Sequence, residues 1–306
     1  MFEIKKLPGS EIEINFEIPA EEFDKYHKEA LGEILKGVSA PGFRPGKVPE
    51  KIAREKIKDD DILKGAAEYA VRDTYFPVIS QQKIEVIARP EIVITKIAKG
   101  DSFCYRVRTA VLPEIILPDY KKIARDTKEK NKSRKIEEVQ EAPLSGNGSG
   151  KKIEEEKKDE NENEKQLEEM KKKQKIQMEM LEAISVDSQM EIPEVLVEAE
   201  KEKMLGELKS SIENMGLNWP DYLGHLKKNE DELRKDWQFD ALQRVKYGLI
   251  LRELAEKENI QVSPEEVESD VASILKQSPD LDRDYLRGYT YGIIRNEKVF
   301  KFLENI

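Results

Sequence analysis

The sequence predicts an α+β N-terminal domain on an antiparallel sheet with helices, then a flexible charged linker and an all-α elongated C-terminal domain. Three observations carry that reading. Ile12, Ile14, Phe16 and Ile18 alternate with Glu11, Glu13, Asn15 and Glu17, the period-two pattern of a half-buried strand. Helical spacing follows and strand character then returns, an order that favours helices packed on an antiparallel sheet. Beyond about residue 166 the apolar residues recur only at helical intervals. The chain has 306 residues, 38% charged and 38% hydrophobic, which is long enough for two domains and polar for a single globule. The expected divisions are 1–125, 126–165 and 166–306.

Phe2 to Lys6 is expected to pair with Ser10 to Ile18 across the Pro8-Gly9 turn. From Ala20 to Lys36, Phe23, Tyr26, Ala30, Leu31, Ile34 and Leu35 form one helical stripe. A short basic helix from Pro49 and a longer one from about Asp61 to Gln81 come next, with Pro77 placed to kink or end the latter. Ile84 to Ile87, Glu91 to Ile97 and Ser102 to Leu112 return to strand composition. Asp126 to Lys165 has no aromatic residue and carries Ser145-Gly146-Asn147-Gly148-Ser149-Gly150, so it reads as a linker with at most marginal helix at its ends. Helices are then expected over 166–186, from Pro193 to Met215, briefly after Trp219-Pro220, from Glu230 to Glu258, and over 281–303. Asn229 and Ser263-Pro264-Glu265-Glu266 supply start signals.

Between the first two helices lies Ser39 to Glu50, SAPGFRPGKVPE. Pro41, Pro45 and Pro49 stiffen the backbone while Gly42 and Gly46 allow tight turns, so the segment holds a shape outside helix or strand. Two readings remain open from the residues alone: a connector whose Phe43 tucks into its own domain, or a tip that presents Phe43, Arg44 and Lys47 to a partner. Charge favours a polyanionic or mixed partner surface. Lys36, Arg44, Lys47, Lys51, Arg54, Lys56 and Lys58 face only Glu50 and Glu55, although the whole chain carries a net charge of −10.

Gly42-Phe43-Arg44-Pro45-Gly46-Lys47-Val48-Pro49 resembles the G-F-R-x-G-K-x-P signature of the trigger factor family of ribosome-associated chaperones, with every specified position filled. The element order over 1–125, the stretch Leu112 to Tyr120, and phrases such as Glu191-Ile192-Pro193-Glu194 and Val262 to Val267 also resemble that family. The resemblance implies that Gly42, Phe43, Arg44, Pro45, Gly46 and Lys47 form the tip that docks on the large ribosomal subunit near the exit tunnel, against protein and rRNA. It further implies that the helical part shields nascent and unfolded polypeptides. Pro45 stands where the family often has a further lysine. Family members usually carry a peptidyl-prolyl isomerase domain after the ribosome-binding domain. About forty polar residues cannot build its sheet and aromatic pocket, so no enzyme activity is expected.

Six methionines, Met170, Met178, Met180, Met190, Met204 and Met215, fall in one window of the helical part. Methionine repacks around varied shapes, which suits an adaptable surface for unfolded apolar segments; ordinary helix packing would also use it. Isolated His27 and His225 and the single Cys104 indicate no metal site or disulfide, and no phosphate-cradling or nucleophile motif appears, so no cofactor is expected. No apolar run approaches a bilayer span, giving the expectation of a cytoplasmic protein without a membrane partner. A homodimer is compatible with this composition. A non-chaperone ribosome-binding or assembly factor with one defined protein partner remains the alternative reading.

Overall fold

A computed structural model describes residues 1–38, 49, 52, 54, 57–141, 156–279 and 281–306, and the side chains of these except at 134–141 and 156–166. The chain divides into two compact units, Met1–Glu114 with Glu191–Ala199, and Ile115–Met190 with Glu200–Ile306.

In the first unit, β1 (Phe2–Leu7), β2 (Glu11–Ile18), β3 (Glu91–Lys96) and β4 (Phe103–Ala110) form one antiparallel sheet in the order β1-β2-β4-β3. The expected alternation is present: Ile12, Ile14, Phe16 and Ile18 are all buried. Ile14 lies opposite Val107 and Phe16 opposite Tyr105. The latter pair stacks at 4.6 Å between ring centroids, and the Tyr105 hydroxyl lies 2.6 Å from Thr74 Oγ1, satisfying a buried polar group. Two helices cover this face, α1 (Ala20–Gly37) and α2 (Asp59–Gln81), through Phe23, Ala30, Ile62, Ala66, Ala70, Tyr75 and Val78. Pro77 lies inside α2 without ending it, since the helix runs on to Gln81. The segment 84–87 is less regular than expected. Its pairing is confined to a bridge between Val86 and Val111, with Ile87 N–H donating to Ala110 O at 3.0 Å.

The turn joining β1 and β2 places Gly9 and Ser10 at positive φ, 75° and 52°. That turn holds a distant segment: Gly9 N–H donates to Glu191 Oε2 at 2.8 Å and Ser10 Oγ to Glu191 O at 2.6 Å. Glu191–Ala199 therefore belongs with the first unit, where periodicity had assigned it to the helical part.

The second unit comprises α3 (Tyr120–Glu141), α4 (Glu156–Asp187), most of α5 (Glu194–Asn214), α6 (Trp219–Leu226), α7 (Glu230–Asp236), α8 (Gln238–Lys257), α9 (Pro264–Gln277) and α10 (Arg283–Glu304). Its main core joins Tyr120, Ala124, Met180, Leu181, Ile184, Ile250, Leu254, Val299 and Leu303; a smaller one joins Val267, Val271 and Leu286. The expected starts are found. Asn229 with Glu232 and Ser263 with Glu266 each make a reciprocal capping box. The helix expected over 230–258 is interrupted at Trp237, yet Trp237 N–H reaches Leu233 O and Ala241 N–H reaches Trp237 O, so the four-residue ladder crosses the irregularity.

One boundary differs from the linker reading. Helix α3 runs well past residue 125, with Thr127 buried and Asn131 Nδ2 donating to Glu179 Oε2 at 2.9 Å. Tyr120, Ala124 and Thr127 recur on one helical face, and that face packs despite the polar composition around it. Residues 142–155, including the Ser/Gly tract, lie outside the described residues.

Candidate functional site

The helices on either side of the signature segment are held together by small residues. Ala30, Ala66, Ala67 and Ala70 are buried, and a methyl group added at Gly65 would sit 3.2 Å from Ala30 Cβ, so α1 and α2 approach closely enough to exclude a larger side chain there. Near the segment's far end Arg54 Nη2 pairs with Asp59 Oδ1 at 2.9 Å, and Ile57 packs against the sheet-and-helix core. Gly42, Phe43, Arg44, Pro45, Gly46 and Lys47 themselves lie outside the described residues. On α1, His27 is buried and its Nε2 has no hydrogen-bond partner among the described residues. Burial first, and then Lys99, push its pKa below the ordinary histidine value.

The six methionines do not form one surface. Met180 and Met204 are buried and Met190 packs against the main helical core, because their positions on α4, α5 and the intervening turn face neighbouring helices. That removes Met180 and Met204 from the set available to a ligand in this state. Met170, Met178 and Met215 are exposed. On α4, Leu167, Met170 and Met178 fall on the outward side.

A second apolar face went unnoticed in the sequence reading. Leu281, just before α10, and Tyr285, Tyr289 and Ile293 along its start recur every four residues and are exposed, Tyr285 by 66%. Tyr285 and Tyr289 stack at 6.3 Å between centroids. The neighbouring row of the same helix carries Leu286 and Thr290, both buried. Arg283 and Arg287 lie on the far side of that buried row, gripping Glu268 of α9. The two rows make an apolar arc wider than the helix's own core requires, and the exposed row has the size and aromatic content of a binding face. The signal was available, since the apolar positions of 281–294 fit two stripes rather than one.

Among the described residues no group of three or more His, Cys, Asp or Glu side chains could hold a metal ion, and no helix is long and apolar enough to cross a membrane.

Two family descriptions match this chain. Residues 1–142 match bacterial trigger factor protein and residues 151–302 match bacterial trigger factor protein C-terminus, so between them they take in nearly the whole sequence. The chain belongs to the trigger factor family. Similar curated proteins include the trigger factor of Bacillus pumilus, 24% identical over 381 residues covering 88% of this chain and 90% of that protein, and that of Staphylococcus epidermidis, 24% identical over 89% of each. The trigger factor of Caldicellulosiruptor bescii is 34% identical over 120 residues, 39% of this chain and only 27% of its own length. The alignment with the Bacillus protein is longer than the 306 residues available here, so that relative has residues with no counterpart in this chain. A solved structure of the trigger factor chaperone, described for promiscuous substrate recognition in folding and assembly activities, superposes with a TM-score of 0.58 at 15% identity, covering 99% of both chains. This trigger factor family member therefore shares the fold.

Proposed function

We propose that this trigger factor family member is a cytoplasmic, ATP-independent chaperone that docks on the large ribosomal subunit near the exit tunnel and shields nascent or unfolded polypeptides. The observation that carries the reading is the exposed row of Tyr285, Tyr289 and Ile293 on α10, with Leu281 just ahead of the helix, beside a neighbouring row that is already buried through Leu286 and Thr290. Such a face binds through many weak apolar contacts without one deep pocket, which gives broad and reversible capture. Exposed Met170, Met178 and Met215 add flexible apolar area. Docking is assigned to Phe43, Arg44 and Lys47, with Gly42, Pro45 and Gly46 shaping the tip. The family matches leave only residues 143–150 between them, which supports the absence of an inserted isomerase domain.

Co-sedimentation with ribosomes tests the docking half. Changing Phe43, Arg44 and Lys47 together to Ala removes an apolar anchor and two cations, so sedimentation should fall sharply while the circular dichroism spectrum is unchanged. Arg44→Lys should weaken binding more than Lys47→Arg, because only guanidinium offers a forked pair of donors. Unchanged sedimentation of the triple variant would refute docking by this segment, and a collapsed spectrum would mean that Phe43 is core. Crosslinking that recovers a single protein in place of many unfolded chains would favour an assembly factor with one partner.

A further inference from the structure

A cleft of ≈ 260 Å³ lies between the end of α8, the turn that follows it and one face of α10; its polar lining includes Arg252, Glu256, Asn259, Gln261, Tyr291 and Arg295. The two arginines are differently placed. Arg252 Nε donates to Glu256 Oε1 at 2.9 Å, so the carboxylate that lines the cleft is already neutralised. Arg295 has no carboxylate within ion-pair distance among the described residues. Its Nε and Nη2 donate only to the neutral amide oxygen of Asn296, at 3.4 and 3.3 Å, beyond the usual range for N–H···O bonds. Other arginines of this unit show the ordinary arrangement: Arg234 sits on Glu202 at 2.7 Å and Arg244 on Glu207 at 3.0 Å.

The carbonyls at the end of α8 could occupy such a cation, but they are taken. Leu254 O accepts from Glu258 N–H, Ala255 O from Ile260 N–H and Glu256 O from Asn259 N–H. Burial holds the Arg295 guanidinium below its ordinary pKa, with Arg252 pushing the same way against Tyr291 and Glu256. A partly desolvated guanidinium whose donors meet one distant amide is short of an anion. Gln261 gives one Nε2 donor to Asn259 Oδ1 and retains another, and Tyr291, one helical turn before Arg295, also lines the cleft.

We propose that the cleft between α8 and α10 is an oxyanion-binding site in which the Arg295 guanidinium receives a carboxylate or phosphate, with Tyr291 and Gln261 as neutral donors at its rim. The fork of Arg295 accepts two oxygens in parallel, a geometry that carboxylate and phosphate share. The volume admits inorganic phosphate or one acidic side chain and no folded partner. The oxyanion is either free in solution or an aspartate or glutamate on a bound polypeptide; the second source rests on the chaperone reading.

The test titrates the full chain with inorganic phosphate, against sodium chloride at matched ionic strength, while the arginine Nε–H resonances and the melting temperature are followed. A parallel titration uses a short blocked peptide bearing a single glutamate between leucines, with its glutamine counterpart as control. A saturable shift of the Arg295 Nε–H resonance and a rise in melting temperature are expected with at least one of the two ligands. Arg295→Lys, which keeps the charge and loses the fork, should weaken that binding about tenfold or more, and Arg295→Gln should abolish the rise in melting temperature. If Arg295→Gln fails to fold by circular dichroism, the lysine variant carries the comparison. A response to phosphate alone assigns a free oxyanion, and a response to the glutamate peptide but not its glutamine counterpart assigns a carboxylate on a polypeptide. No saturable response to either ligand, or an unaltered response in Arg295→Lys, would overturn the proposal and leave Arg295 as compensation for the C-terminal dipole of α8. Suppression of aggregation by the parent protein is measured separately, so failure here would not be confused with failure of the chaperone reading.

Discussion

In the first unit one cluster gathers Ile14, Phe23, Ile62, Phe103, Tyr105 and Val107 between a sheet and two helices, and its exposed large apolar side chains are the Ile92-Val93-Ile94 run on the edge strand β3 and scattered residues such as Phe2 and Phe76. In the second, the core is divided between a main cluster around Ile250, Leu254 and Leu303 and a small one around Val271 and Leu286. Large apolar side chains there stay on helix faces in solvent, as at Tyr285, Tyr289, Ile293 and Met178. The two units show how similar apolar residues support different tasks. A sheet covered on one face by two helices closes around its apolar residues and can fix the ends of a connecting segment. A set of helices with divided cores leaves faces unpaired, and those faces are the candidate binding surface.

The largest expected effect would break the first half of that comparison. Phe103→Ala empties a fully buried ring position stacked on Phe23 at 4.7 Å and should cost about 3–5 kcal/mol in urea unfolding. Gly65→Val should follow at about 1–3 kcal/mol, because the added carbons meet Ala30 and force α1 from α2. Its readout is the same unfolding curve with ribosome co-sedimentation beside it, since moving the helices should weaken docking too. In the second unit, Ser263→Ala removes one half of the capping box at the start of α9 and should cost about 1 kcal/mol.

A smaller effect is set by pH. The folded-state pKa of His27 lies below its ordinary value of 6.5, so the unfolded chain binds the proton more readily. Its contribution to stability is complete above pH 6.5 and declines as pH falls through that value towards the depressed one. His27→Gln should therefore flatten the loss of melting temperature between neutral pH and about pH 5. An identical slope in parent and variant would show that other groups govern it.

Much of this architecture was legible in the residues. The alternation at 12–18, the helical stripe of α1, the capping boxes at Asn229 and Ser263, and the stop at Gly216, which has φ 73°, all rest on local chemistry that sequence displays directly. What was missed depends on partners distant in the chain. Glu191 is claimed by the turn at Gly9 and Ser10, and Thr127 and Asn131 pack although composition alone read that stretch as linker. The candidate site divides in the same way. Its signature segment could be read from eight consecutive residues, whereas the methionine window could not separate Met180 and Met204 in the interior from Met170, Met178 and Met215 outside. Burial depends on which neighbour a helix meets.

The most direct test of the central claim is suppression of aggregation of a chemically denatured protein without nucleotide, comparing the parent with a variant in which Tyr285, Tyr289 and Ile293 are all serine. Because these side chains are exposed, each change should alter stability by about 0.5 kcal/mol or less, leaving the fold intact by circular dichroism. The account predicts strong protection by the parent and a several-fold weaker effect from the folded variant. Equal protection by the two, or none from the parent at stoichiometric excess, would contradict it.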